Sequence, residues 1–361
     1  MIAAAIPVLA SSIWAAEREA IPRNDHIGSS CPSKITVNAD SVNDVLDGGF
    51  AHGSLHCITT AADLDNGDLI NSTIVSHLTS SSDAVATIID STLAFDVRHL
   101  YRALTASMGG VEDAQQRAMQ ALERVKMMKV FDFEGLMEAI EETKITMQRP
   151  GTSATEEPMI EVIPHGTIPD SEDEEEEEEE VVKGPLRQDQ ADETTRQASK
   201  SPAGQSPQTH SSNLIIVQDI SQVVGPLLRS NYTHGQAQLD RLIKSLERLT
   251  KSHQACTILF ASASSRPVQE TDHQLSQFAT CSLRPALGDN VGYLVDLHIF
   301  RYVLPAAEMT RLDQSRRGEI RTRPASEPVE ILEVVEDRYA SRVGRWAAVR
   351  HGDHGILYDA H

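Results

Sequence analysis

Short runs of aliphatic and β-branched residues recur along this chain, and several are followed by a segment with helical periodicity. Residues 85–89 read VATII, a pattern expected of a strand that is covered on both faces. Residues 95–108 then repeat apolar side chains at helical spacing, and Asp132 is placed to cap a helix at 133–142. This alternation predicts an α/β fold whose central sheet is mostly parallel and flanked by helices.

The alternation returns in the second half of the chain. Residues 213–220 and 256–261 are apolar and predict two more buried strands, with the strongest helical pattern of the chain between them at 236–253. Residues 329–337 and 345–349 predict terminal strands. We expect these two strands to be antiparallel and to close the sheet.

A polar segment at 150–211 interrupts the pattern. It is rich in Pro, Ser, Thr and Gln, and residues 172–180 are all Glu or Asp. Such a segment buries too little apolar surface to offset its ordering entropy, which predicts a disordered acidic insertion. The insertion is either a solvated surface segment or a segment that imitates the negative charge of nucleic acid and so attracts a basic partner. The predicted organisation is an irregular lead-in (1–40), one core (41–350) around the insertion, and a tail (351–361).

The net charge of −21 does not exclude a nucleic-acid partner. More than half of it arises within the insertion, which holds 16 acidic and 4 basic residues between positions 151 and 210, and arginines gather near the C-terminus. The four cysteines (Cys31, Cys57, Cys256 and Cys281) have no metal-site spacing and predict free thiols in a reducing compartment, with no metal site. The apolar N-terminus lacks the basic residues of a signal peptide, so a frayed helix is favoured there.

Residues 46–70 predict a strand, a polar loop and the start of a helix, the geometry in which helix amides hold a nucleotide phosphate. Aligned with the phosphate-loop pattern G-x-x-x-x-G-K-[ST], the defining positions are Ala62, Gly67, Asp68 and Leu69. An aspartate thus replaces the lysine, and a leucine replaces the magnesium-binding hydroxyl. A unit charge pair about 4 Å apart is worth roughly 4 kcal/mol at an effective dielectric of 20, so this sign reversal disfavours phosphate.

The order of these elements resembles the ATPase core of RecA-like recombinases, and specifically a eukaryotic recombinase paralogue. Order and spacing carry the resemblance, since no single motif decides it. The matching stretches are residues 46–59 (LDGGFAHGSLHCIT), 88–104 (IIDSTLAFDVRHLYRAL), 214–221 (LIIVQDIS), 256–262 (CTILFAS), 284–288 (RPALG) and 334–346 (VVEDRYASRVGRW).

The resemblance implies a RecA-like fold and an ATP–Mg²⁺ cofactor, and it shows which ATP-handling positions differ. The position of the catalytic glutamate is Thr92, and that of the magnesium-linked aspartate is Gln218, with Asp219 one residue late. A shift of one residue turns a strand side chain to the other face. We therefore expect weak or absent ATP hydrolysis and assign no catalytic residue. Asp219 and Asp90 each have a structural alternative, as a cap of the turn that follows their strand.

The resemblance also implies DNA contacts. Residues 262–280 correspond to the mobile DNA-contacting loop of the family, which makes Arg266 and His273 candidate DNA-binding residues, together with Arg284. A basic stretch from Arg301 to Arg323 is a solvated loop by default, or a set of phosphate contacts.

Three hypotheses follow for function. The first is a nuclear paralogue that joins other recombinase paralogues and a recombinase, binds single-stranded or branched DNA, and supports recombinase filaments in homologous recombination and repair. The second is a working DNA-dependent ATPase with a rearranged phosphate loop, which needs a lysine or arginine that reaches the phosphates from elsewhere. The third is a RecA-fold scaffold like the small subunits of the Elongator complex, which support tRNA modification.

Overall fold

Twelve strands and eight helices are assigned in the described part of the chain. The computed structural model describes residues 34–109, 113–148, 212–265, 274–278, 280–305, 328–352 and 354–360. The strands are β1 (Lys34–Ile35), β2 (Phe50–Ala51), β3 (Leu55–Thr60), β4 (Val85–Asp90), β5 (Val125–Lys129), β6 (Asn213–Gln218), β7 (Cys256–Ser265), β8 (Leu283–Pro285), β9 (Leu297–Leu304), β10 (Val329–Asp337), β11 (Trp346–His351) and β12 (Leu357–Asp359). The helices are α1 (Asp40–Val45), α2 (Gly67–Ser80), α3 (Val97–Ser107), α4 (Ala114–Leu122), α5 (Phe133–Gln148), α6 (Ile220–Ser230), α7 (Tyr232–His253) and α8 (Val291–Leu294).

Ten strands form one sheet in the order β12-β11-β10-β9-β3-β7-β6-β4-β5, with β8 paired to the end of β7. The pairs from β9 to β5 along this order are parallel, while β10, β11 and β12 pair antiparallel. The predicted fold class is therefore confirmed, including the antiparallel C-terminal strands.

Alternate residues of the central strands face two separate apolar cores. Ile58, Ile88 and Ile216 face a core shared with α2, α3 and α4, whereas Cys57, Ile89 and Val217 face a core shared with α5, α6 and α7. Both faces of the sheet are thus covered, as the continuous apolar runs predict. A third cluster covers β9 and β10 with residues from 274–283, among them Phe278 packed against Tyr302 and Trp346.

Several sequence expectations differ from the structure or lie outside it. The acidic insertion and the N-terminal residues 1–33 lie outside the described residues. The expected tail includes β12, because Ile356 and Leu357 are buried in the core. Residues 220–230 form a helix that the apolar pattern does not predict: the strand expected over 213–220 ends at Gln218, and α6 begins at Ile220.

The thiols of Cys57 and Cys256 are buried and that of Cys281 is partly buried, and none of the three forms a disulfide; Cys31 lies outside the described residues. Among the helices of the described ranges, none has the length and apolar character needed to cross a bilayer.

Candidate functional site

The predicted nucleotide positions all lie at the carboxyl end of the parallel strands. Ala62 is exposed in the loop between β3 and α2, Gly67 and Asp68 begin α2, and Leu69 is fully buried. Gln218 ends β6 and Asp219 follows it. Because β7 separates β3 from β6, the two groups of residues face the same edge of the sheet without being direct neighbours. In open α/β sheets this edge is where ligands bind.

Arg301, a residue of β9, holds the loop between β3 and α2 from inside the protein. Its side chain is the largest that is fully buried, and its Nη1 donates to the Asp65 carbonyl (2.7 Å) and to Asn66 Oδ1 (2.8 Å). Asn66 Oδ1 also accepts from the Thr60 hydroxyl at 2.8 Å, which ties the loop to the end of β3. Two oxygen acceptors of the loop, the Asp65 carbonyl and Asn66 Oδ1, thus bind the guanidinium of Arg301.

A chain of polar contacts extends from Arg301 to the start of α2. Arg301 Nε lies 2.5 Å from Glu330 Oε1 on β10, and Glu330 Oε2 lies 2.9 Å from His351 Nε2 on β11. The other ring nitrogen of His351, Nδ1, contacts the carboxylate of Asp68. Asp68, at the position where the phosphate-loop pattern has lysine, is therefore engaged with a histidine of the C-terminal strands.

The first amide of α2 also has a partner from the same chain. Asp65 Oδ1 accepts from the Gly67 N–H at 3.1 Å. The N-terminus of a helix favours a negative charge, and here a carboxylate of the loop occupies that position. With Asp63 and Asp68, three carboxylates lie within six residues of this loop and helix start.

The carboxylate of Asp90 accepts hydrogen bonds from the turn that follows β4. It is fully buried; its Oδ1 accepts from Thr92 N–H (2.9 Å), the Thr92 hydroxyl (2.7 Å) and Leu93 N–H (2.9 Å), and its Oδ2 accepts from Phe95 N–H (3.2 Å). The capping interpretation of Asp90 is confirmed. Thr92, at the position of the family's glutamate, is one of the groups that Asp90 orients.

Asp219 caps α6 from a left-handed backbone conformation, with φ of +44°. Its Oδ1 accepts from Ser221 N–H (3.2 Å), and its Oδ2 accepts from the Ser262 hydroxyl at the end of β7 (2.8 Å) and from Gln222 Nε2 (3.2 Å). The structural interpretation of Asp219 is confirmed as well. The neighbouring Gln218 is buried, and its Oε1 has no hydrogen-bond partner in the described part of the chain.

A cavity of about 540 Å³ opens beside these residues, between α6, the start of α7 and the β7–β8 hairpin. Its polar lining includes Arg229, Arg284, Asp289 and Ser262, and Tyr232 lines it with a side chain that is 62% exposed. The structure thus places the predicted Arg284 in a cavity with a second arginine and an aromatic ring. The other two predicted DNA-binding residues, Arg266 and His273, lie outside the described residues.

The arrangement of the strands and helices has a known counterpart. The chain is similar to the crystal structure of the RadB recombinase, with a TM-score of 0.52 and 14% sequence identity over 91% of this chain and 100% of that one. The fold is RecA-like. The sequence matches no protein-family model and no curated protein, so the likeness is one of fold.

Sequence reasoning missed the residues that fasten the loop. It placed Arg301 in a solvated basic stretch, whereas β9 buries this side chain completely; the other arginines of that stretch lie outside the described residues. A lone arginine inside the apolar run LHIFRYVL was the available signal, because a buried charge requires a partner. Its partner Glu330 stands at the start of the next apolar strand. Nothing local to His351, Arg229 or Tyr232 indicates their contacts.

Proposed function

We propose that this protein is a nuclear recombinase paralogue without an ATPase cycle, a subunit that supports recombinase filaments on single-stranded DNA in homologous recombination and repair. The observation that carries the proposal is a RecA-like core in which the ATP-handling positions are engaged by the chain itself. The Elongator-like scaffold shares this feature, so DNA contacts and partners distinguish the two.

Electrostatics at the loop disfavour a bound ATP. Asp63, Asp65 and Asp68 bring negative charge to the start of α2, where a triphosphate would lie. Each repulsion is worth up to several kcal/mol at close range, even at an effective dielectric of 20. Among the described lysines and arginines only Arg301 is fully buried. It is paired with Glu330 and bonded to Asp65 and Asn66, so its charge is already compensated.

Hydrolysis would also lack its polarising carboxylate. Thr92 provides no base at the family's glutamate position, and both oxygens of Asp90 accept bonds from the following turn. Asp219 directs its carboxylate to α6 and to Ser262. Both carboxylates are thus engaged within the chain, and neither stands at the position from which the family holds a water or a magnesium ion.

The cavity beside α6 supports the DNA contact. Arginine guanidinium groups bind phosphates, and an exposed tyrosine offers a ring on which a base stacks, a combination suited to single strands. Arg229, Arg284 and Tyr232 supply these groups around one cavity of about 540 Å³. The charged residues that line the cavity are these two arginines and Asp289, so positive charge exceeds negative charge there.

The outer edge of β5 supports assembly with related subunits. Among the described residues, β5 pairs only with β4, which leaves its other edge without a strand partner. Phe131 follows β5 with 78% of its side chain exposed, and Met127 is 36% exposed. An open edge beside exposed apolar side chains is a template for addition of a partner strand.

Reconstitution tests the proposal. The protein, related paralogues and a recombinase would be mixed with single-stranded DNA, and filament assembly followed by electron microscopy and nuclease protection. We expect faster or more stable filaments, and loss of the effect with Phe131→Asp, an exposed substitution that leaves folding intact. No effect on filaments, or co-purification from cells with tRNA-modification proteins instead of repair proteins, would contradict the proposal.

One observation favours the second candidate, an active ATPase. Arg301 reaches the loop from another strand, as that hypothesis requires. However, the Arg301 side chain is fully buried beneath the loop and paired with Glu330. It would contact a phosphate only after leaving its buried position and breaking the ion pair. Magnesium-dependent ATP hydrolysis that is stimulated by DNA and lost in Arg301→Met, with folding retained, would establish this alternative.

A further inference from the structure

Glu333 is a buried carboxylate with no counter-charge among the described residues. It is 1% exposed on β10, between apolar neighbours, and no described lysine or arginine forms an ion pair with it. Its hydrogen-bond partners are the Ser276 hydroxyl (2.5 Å), the Gln277 N–H (2.7 Å) and the Tyr302 hydroxyl (2.8 Å). Burial, together with the nearby negative charge of Glu333, raises the pKa of the Tyr302 hydroxyl, so it remains a donor.

Two of these three donors belong to the short segment 274–278, which precedes β8. This segment has no strand or helix of its own. Its other contacts with the sheet include a hydrogen bond between the Ser276 and Tyr302 hydroxyls (3.3 Å) and the packing of the buried Phe278 against the rings of Tyr302 and Trp346. Apolar packing tolerates sliding, whereas a carboxylate that accepts bonds from Ser276 and Gln277 fixes one register. A leucine at position 333 would fill the same space at lower desolvation cost, so the carboxylate is explained better by specificity than by stability.

The anchored segment leads directly to the cavity. The Cys281 N–H donates to the Phe278 carbonyl at 3.0 Å, and β8 follows, in which Arg284 pairs with Ser264 of β7. β8 has three residues, too few to hold its position alone. The end of β8 that faces the segment therefore depends on where Glu333 holds Ser276 and Gln277.

We propose that Glu333 is a positioning residue for DNA binding, which anchors residues 274–278 to β10 and thereby sets Arg284 in the cavity. This inference rests on the proposed DNA contact. It predicts that removing the acceptor weakens binding of single-stranded DNA in a protein that remains folded.

The test compares four variants in a Trp14→Phe background, where Trp346 is the single tryptophan of the chain. Glu333→Leu removes the acceptor and keeps β10 apolar, Ser276→Ala removes one donor from the segment, and Glu333→Gln keeps a carbonyl that accepts from Gln277. Glu142→Leu, on the exposed face of α5, is the matched control. Trp346 emission reports the Phe278 contact, and fluorescence anisotropy with a labelled oligothymidylate reports the DNA dissociation constant, both well below each melting temperature.

We expect a red-shifted Trp346 emission and about tenfold weaker DNA binding in Glu333→Leu, a smaller change of the same kind in Ser276→Ala, and values close to the parent in Glu333→Gln and Glu142→Leu. If Glu333→Leu does not fold, Ser276→Ala decides. DNA binding as tight in both variants as in the parent overturns this inference alone. No DNA binding by the parent overturns the proposed DNA contact and this inference with it.

Discussion

At the scale of single residues, Arg301 fixes the loop between β3 and α2. Its guanidinium lies under the loop that holds phosphate in nucleotide-binding relatives of this fold, bonded to Asp65, Asn66 and Glu330. Buried ion pairs contribute little net stability compared with apolar residues of the same size, yet removing one partner is costly. The value of the pair therefore lies in fixing the loop.

Substitutions at this pair test that view. Arg301→Met leaves Glu330 buried without its charge partner and should lower the free energy of unfolding by about 3–5 kcal/mol. The double variant Arg301→Met/Glu330→Met should recover most of that loss. Urea unfolding measures both, with Arg241→Met on the exposed face of α7 as the control, which should change stability by less than about 0.5 kcal/mol. A single variant as stable as the parent would show that the pair does not hold the loop.

At the scale of elements, the contact between α6 and α7 shapes the cavity. Gly235 in the first turn of α7 lies so close to α6 that an added Cβ would be 2.7 Å from the backbone N and Cα of Leu228. Gly225, within α6, faces only the flexible end of Arg229, at 3.4 Å from such a Cβ. The close approach of the helices thus excludes a side chain at position 235, whereas position 225 has room for one.

Alanine at these two positions should have effects of different size. Gly235→Ala forces the helices apart and should lower the free energy of unfolding by about 1–3 kcal/mol. Gly225→Ala should change it by less than about 0.5 kcal/mol, because the gain in helix propensity is opposed by the clash between an alanine Cβ and the ring of Pro226, the next residue of the helix. Urea denaturation of the two variants provides the comparison, and equal effects would refute the close approach of the helices.

The elements also show what the sequence could and could not predict. Strands such as residues 85–89 and 329–337 follow from apolar runs, and the Asp132 cap is confirmed by its bond with the Gly135 N–H (2.8 Å). Helix α6 is not indicated by the sequence, because the apolar run that predicts β6 continues through Ile220, the first residue of the helix. The contacts of Asp68 could not be predicted, since His351 is 283 residues away in the chain.

At the scale of the whole molecule, three buried histidines make stability depend on pH. Burial lowers the pKa of His56 and His77 to about 4 and that of His298 to about 3. In the unfolded chain each of these histidines has a pKa near 6.5. Below that pH the unfolded state therefore binds more protons than the folded state, which lowers the free energy of unfolding. Stability is therefore retained above pH 6.5 and falls as the pH decreases.

The expected loss at pH 5 is about 2 kcal/mol for each of these histidines. Urea unfolding at pH 7.5, 6.0 and 5.0 measures it, and His298→Gln should reduce the pH dependence by about one third. A midpoint that is the same at pH 7.5 and pH 5.0 would mean that these side chains are not buried in the neutral form.

The proposed function depends on the loss of ATP binding at the start of α2. Titration of ATP and of ADP with magnesium into the purified protein at low salt, followed by calorimetry, tests it most directly, and single-stranded DNA titrated into the same preparation provides the positive control. We expect no nucleotide binding, because Asp65 and Asp68 bring negative charge to the start of α2 and the charge of Arg301 beneath the loop is compensated by Glu330. Nucleotide binding in the micromolar range would refute the loss of the site and favour the active ATPase.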